Sequence, residues 1–106
     1  MPTQRPTLGS VLAAARKSAS LSLREVAEKV KKNDGTPISP QYLNDIEHDR
    51  RVPSSDVTEG LARVLKIAPD YLHFLTGALP EDLRRRPLDE AEVVRAYQLF
   101  RKQLDK

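Results

Sequence analysis

Cysteine and tryptophan are absent, and the aromatic residues amount to two phenylalanines and three tyrosines. Without cysteine there are no disulfides and no thiolate–metal chemistry, so packing alone must hold a small fold together. Without tryptophan and with so few rings there is no large stacking surface, and the core must be aliphatic. Glycine is scarce as well, four in all, and none falls in a phosphate-cradling loop pattern. No run approaches the roughly 18 apolar residues that a membrane span requires, and no charged start followed by a long apolar stretch opens the chain. These absences predict a cytoplasmic protein with no membrane association.

A chain of 106 residues suits one apolar core and one domain. Its net charge of +3 and pI near 9.4 permit nucleic-acid binding without requiring it. The distribution is more telling: residues 1–53 carry nine basic against six acidic side chains, while 54–106 carry nine of each. A polyanion should therefore contact the first half.

Apolar positions recur at helical spacing almost throughout, and no strand alternation appears. Leu8, Val11, Leu12 and Ala15 define one face of a helix over 8–18, with Thr7 as its N-cap and residues 1–6 as a loose arm. Ser22 and Glu25 form a capping box, with Leu21 and Val26 placed as a hydrophobic staple, so a second helix is expected over 23–31. Residues 31–37 contain Asn33-Asp34-Gly35 and no apolar side chain, and should form an exposed loop. Helix signals resume at Ser39, a cap, and Pro40, which suits the first helical position; Leu43 and Ile46 face the core. Val57, Leu61, Val64 and Leu65 give a fourth apolar face despite Gly60, which costs roughly 1 kcal/mol against Ala in a helix. A fifth helix starts at Pro69, carries Leu72 and Leu75, and ends at Gly77. Pro80 to Pro87 enclose a short charged segment with Arg84, Arg85 and Arg86. Asp89 and Glu92 then cap a last helix over 90–104, whose stripe is Val93, Tyr97, Phe100 and Leu104.

Five short helices between Leu8 and Leu75, the second and third a capped pair, give the layout of a helix-turn-helix DNA-binding domain. The segments Leu21-Ser22-Leu23-Arg24-Glu25-Val26-Ala27 and Ile38-Ser39-Pro40-Gln41-Tyr42-Leu43-Asn44-Asp45-Ile46-Glu47, followed by Arg50-Arg51 and Pro53, resemble the Cro and phage-repressor-like (XRE) helix-turn-helix family. The expected fold is all-α: a five-helix repressor-like domain at 7–78 and a C-terminal helical extension at 79–106. The resemblance also implies a structural ion pair between Arg16 and Glu47. Two departures stand out. Seven residues separate Val30 from Ile38 where the family usually has about one, an insertion of six. Asp49 replaces the usual Gly after the recognition helix, and Asp tolerates left-handed backbone better than most residues.

With Leu43 and Ile46 turned inward, Gln41, Tyr42, Asn44 and Asp45 would project into the major groove, where Gln and Asn can read adenine and an acid can accept from cytosine; the competing reading is an ordinary polar helix face. Lys31, Lys32, Arg50 and Arg51 flank the pair as expected phosphate contacts, with Ser22, Arg24 and Ser39. His48 and His73 lack partners at metal-ligand spacing, so no metal or cofactor is expected. Ser39, His48 and Asp49 include the side-chain types of a hydrolytic triad, but Ser39 serves as a cap and all three belong to one helix and its end, so no catalytic residues are expected. The C-terminal stripe can bury itself on the domain's own first and fifth helices or on a second copy, and homodimerisation suits a two-fold operator. The reading is thus a sequence-specific duplex-DNA-binding transcriptional regulator, a repressor without enzymatic activity. The alternative is an interaction module, such as an antitoxin whose last helix binds a partner protein.

Overall fold

In the computed structural model, which describes residues 5–105, seven α-helices follow one another and no strand forms among the described residues. Most of the expected arm, residues 1–4, lies outside them. Helix α1 (Leu8–Ser18) begins at a reciprocal cap: the Thr7 hydroxyl accepts from the Ser10 amide, and the Ser10 hydroxyl accepts from the Thr7 amide, both at 3.0 Å. Helix α2 (Leu23–Lys29) uses the Ser22/Glu25 box, at 3.0 and 2.8 Å. It stops two residues short of the expected end because Val30 turns extended and its carbonyl accepts from the Ile38 amide, at 2.9 Å.

Helix α3 (Pro40–Glu47) starts with the Ser39 hydroxyl accepting from the Tyr42 amide. Helix α4 (Ser55–Leu65) is capped by Ser54 and closed by Lys66 in the left-handed region. Helix α5 (Pro69–Thr76) ends at Gly77, also left-handed, as its place in the sequence suggests. The charged segment between the prolines forms a single turn, α6 (Glu81–Arg84), and α7 (Glu90–Leu104) follows from an Asp89/Glu92 box.

The first five helices close around one aliphatic core. Leu12 of α1, Val26 and Val30 around the end of α2, Leu43 and Ile46 of α3, Leu61 of α4 and Leu72 of α5 are fully shielded from solvent. Burial of such side chains contributes about 1.5–3 kcal/mol each. Helix α3 is held between α1 and α2, while α4 packs on α5 and closes the far side. Where α1 crosses the end of α3, Gly9 is a geometric requirement: a Cβ there would stand 2.3 Å from the Glu47 carbonyl oxygen. Gly60 likewise admits Val30, whose Cγ1 would lie 3.0 Å from an added Cβ.

Neither α6 nor α7 packs on this body to a comparable extent, and no residue of either is buried. The stripe Val93, Tyr97, Phe100 and Leu104 is 37–68% exposed. One of its contacts with the body is Phe100, edge-on to Phe74 of α5 with centroids 6.3 Å apart. The radius of gyration is accordingly 15.5 Å, against about 13 Å for a compact chain of this length.

Candidate nucleic-acid interface

The outward face of α3 is set from both ends. At its C-terminal end Glu47, only 4% exposed, receives Arg16 of α1 in a two-pronged pair: Nε to Oε2 at 2.7 Å and Nη2 to Oε1 at 3.0 Å. The third prong of Arg16, Nη1, donates to the Leu21 carbonyl ahead of α2 at 2.9 Å. The hydrogen bonds that Arg16 donates to Glu47 raise the guanidinium pKa above its already high ordinary value. One guanidinium therefore ties α1, the entry to α2 and the end of α3 together, and its planar fork is what a Lys could not reproduce.

The residue after the cap of α3 does the same for the start of α1. Asp49 has φ 59°, the left-handed geometry that ends the helix. Its carboxylate accepts from the Thr7 hydroxyl at 2.7 Å and from the Gly9 amide at 2.9 Å. The sequence reading anticipates the backbone geometry of Asp49 but misses this long-range role, since nothing local announces a contact across forty residues. An acidic side chain at the opening of α1 also complements the exposed amides there.

On the outward face, Gln41 is exposed and Asn44 half-buried, and no hydrogen bond among the described residues engages the Asn44 amide. Asp45 is engaged: its Oδ1 accepts from Gln41 Nε2 at 3.1 Å and from Arg50 Nη2 and Nε at 2.9 and 3.2 Å. These bonds, Arg50 first, hold its carboxyl below the ordinary 3.8. Asp45 thus organises its neighbours, in contrast to the expectation of a free acceptor, and Arg50 is folded back onto α3 in place of reaching outward as a free phosphate contact. Tyr42 departs from expectation too, because it packs half-buried against the core with the Arg51 guanidinium 5.0 Å above its ring. The sequence missed these pairings because they join residues four, five and nine apart around the end of α3, where the turn brings side chains back onto the helix in directions that periodicity does not carry.

Among the remaining expected contacts, Ser22 and Ser39 use their hydroxyl oxygens as cap acceptors, which leaves each O–H free to donate. Arg24, Lys31 and Lys32 are exposed, and the Lys31 ammonium donates to the Glu28 carbonyl at 3.2 Å. Residues 31–37 are exposed as expected but ordered. An antiparallel bridge joins Lys31 to Pro37, and the Lys32 amide donates to the Thr36 carbonyl at 2.8 Å. Asp34 accepts from the Thr36 amide and hydroxyl inside the turn.

His73 is buried, its Nε2 2.5 Å from Glu59 across the α4–α5 contact, and no group of potential metal ligands occurs among the described residues. No helix there is long and apolar enough to cross a membrane.

Two capped helices at the front of a five-helix body, the second with its polar face outward, define a helix-turn-helix protein of the DNA-binding class. The comparisons agree: the helix-turn-helix family matches residues 12–72, and the chain belongs to it, in the Cro/C1-type (XRE) branch. Two proteins from strains of Mycobacterium tuberculosis, each named an uncharacterized HTH-type transcriptional regulator, are 31% identical over 71 residues. That stretch is 67% of this chain but 46% of theirs, so the chain matches about half the length of these curated relatives. A solved structure titled the SinR protein/SinI protein complex contains a chain 27% identical with a TM-score of 0.51, the match covering 93% of this chain and 92% of that one.

Proposed function

We propose that this chain is a sequence-specific duplex-DNA-binding transcriptional regulator that represses by occupying its operator, with residues 7–78 as the DNA-binding unit and 79–106 as a dimerisation element. The observation that carries the reading is the fixed outward face of α3. Arg16–Glu47 and Asp49 hold the helix, Gln41 and Asn44 face out as base readers, and Ser22, Arg24, Lys31, Lys32, Ser39 and Arg51 surround them as donors to backbone phosphates. Phosphate contacts set register, and the amide side chains distinguish bases.

The exposed stripe of α7 supports pairing with a second copy. Glu90 and Glu92 lie in its first turn and Arg101 and Lys102 in its last, so two such helices side by side and antiparallel set opposite charges against each other at both ends. A second reading, in which α7 covers a partner protein, draws on the same stripe and on likeness to a chain solved in a two-protein complex.

Selection of bound sequences from a random duplex pool tests the proposal. The expected result is a two-fold-symmetric site, with log K falling against log salt at a slope of about −4 to −5 per protomer for four to six neutralised phosphates. Gln41→Ala and Asn44→Ala should each lose about 1–3 kcal/mol on that site and little on random DNA. A chain that recovers no sequence and shows a slope near zero would overturn the reading in favour of the interaction module.

A further inference from the structure

A groove of about 620 Å³ opens on the body between the start of α1, the loop from α3 to α4, and α5. Its apolar wall comes from separate elements: Val52 of the loop, 72% exposed, and Tyr71 and Phe74 of α5, 41% and 60% exposed, with the half-buried Leu75. Phe74 keeps this exposure even with Phe100 set edge-on to it. Large apolar side chains gathered in the open mark a surface made for contact. The polar part of the lining is one-sided. Asp49 is its single acid among the described residues, and both of its oxygens are engaged, Oδ2 by the Thr7 hydroxyl and Oδ1 by the Gly9 amide. The Thr76 hydroxyl donates to the His73 carbonyl and accepts from the Ala78 amide. Three donors on the lining have no hydrogen-bond acceptor among the described residues: the guanidinium groups of Arg5 and Arg51 and the Tyr71 hydroxyl. An apolar wall with cationic and hydroxyl donors to spare matches a ligand with an apolar body and one anionic end.

We propose that this groove is an effector site for an amphipathic monocarboxylate, an acid with an aryl or short aliphatic body, and that its occupation loosens the hold on DNA. The body lies against Val52, Tyr71 and Phe74, and the carboxylate meets Arg5 and Arg51, whose planar guanidinium groups suit a planar anion. The coupling runs through Arg51. It lines this groove and at the same time stands 5.0 Å over the Tyr42 ring of α3, on the side where the DNA reading gives it a backbone phosphate. A ligand carboxylate there neutralises the cation that the phosphate would meet and sets a like charge beside it. The lining also includes Thr7 and Asp49, whose bond fixes the start of α1 to the end of α3, so the ligand sits on the joint that aims the recognition helix. The site follows from the groove alone, and its effect on DNA rests on the reading above. Linkage then requires reciprocity: the operator weakens ligand binding by the factor by which the ligand weakens operator binding.

The test uses the full chain, with 4-phenylbutyrate and octanoate as probes and the neutral 4-phenylbutyramide as control. Calorimetric titration without DNA should show both acids binding a single site per chain, and the amide binding about ten-fold weaker or more, since it cannot form charge-assisted bonds to Arg5 and Arg51. Tyr71→Ala and Val52→Gln should each weaken the acids severalfold and leave affinity for the selected duplex as in the wild type; Val52→Gln alters a side chain 72% exposed, so its circular-dichroism melt should be unchanged. On the selected duplex, saturating 4-phenylbutyrate should lower affinity about five-fold or more, with a salt slope shallower by about 0.9 per protomer. Absence of binding by both acids, or an amide that binds as tightly as its acid, would overturn the site. Acids that bind and leave duplex affinity unchanged would overturn its control of DNA. Failure of the wild type to bind any duplex would remove the DNA reading alone, since the calorimetry still decides the groove.

Discussion

One carboxylate oxygen of Asp45 accepts from Gln41 and twice from Arg50, so three side chains on the outward side of α3 share a single geometry before any ligand arrives. Such preorganisation reduces the ordering cost of binding. Asp45→Ala should therefore raise affinity for random duplex, by removing a negative charge from the phosphate-facing side, and lower the preference for the selected site, by releasing Gln41; competition binding measures both. Because Arg50 lowers the Asp45 pKa, the clamp is fully formed above the ordinary carboxylate value of 3.8 and is lost only as pH falls through the lowered one. At neutral pH it is intact. Glu47 poses a different question, since it and Arg16 are largely removed from solvent, at 4% and 12% exposure. Glu47→Ala leaves a guanidinium without its counter-charge, a change that costs about 3–5 kcal/mol in buried pairs. With about 4–8 °C per kcal/mol for a domain near this size, thermal melting should show a drop well above 10 °C. An unchanged melt would remove Arg16–Glu47 from the account of stability.

Among the elements, α3 depends most on its neighbours, and its seat against α1 is the close approach at Gly9. Gly9→Ala forces the added methyl toward the Glu47 carbonyl, so the two helices must part, at a cost of about 1–3 kcal/mol. The expected outcome is a lower melting temperature together with weaker specific binding, because a displaced α3 no longer aims Gln41 and Asn44 as before. Wild-type affinity for the selected site in a destabilised Gly9→Ala chain would separate the two effects and refute the coupling. The helices themselves were legible because their ends obey local chemistry: Ser22 with Glu25, Ser39 with Pro40, and Asp89 with Glu92 are signals carried within four residues. What stayed hidden needed partners distant in sequence or unusual in type. Ser10 completes a capping box where Glu or Gln is the common signal, Gly9 is needed only because Glu47 lies across from it, and Asp49 reaches back to Thr7. The turn at Asn33-Asp34-Gly35 was legible, but its closure into a hairpin was not, since the bonds that close it join backbone to backbone across a segment with no apolar residue. For the candidate site, the positions Gln41 and Asn44 followed from periodicity, whereas the Asp45–Arg50 and Tyr42–Arg51 pairings depended on side-chain directions that periodicity does not contain.

For the whole molecule, the exposed stripe of α7 is the largest unsolved demand of the fold, and a 15-residue helix offers about 22 Å of seam. Replacing Tyr97 and Phe100 together by Asp should give a folded monomer with much weaker operator binding, because charge cannot enter an apolar seam without a partner. Ultracentrifugation with circular dichroism checks it: an unfolded double variant would mean that the stripe supports the chain's own body, and one that stays dimeric would place the interface elsewhere. The way α7 is joined to the body also has a consequence for the DNA that the proposed dimer would recognise. In the proposed dimer, the angle between the paired helices and each five-helix body would be set by few contacts, among them the edge-on rings of Phe74 and Phe100, and by a connection punctuated by Pro80 and Pro87. Two bodies hung in this way are not locked to the separation of about 34 Å that one turn of duplex prescribes. Under the proposed dimer reading, duplexes whose half-sites are moved apart or together by a base pair should then bind with similar affinity, which competition binding measures.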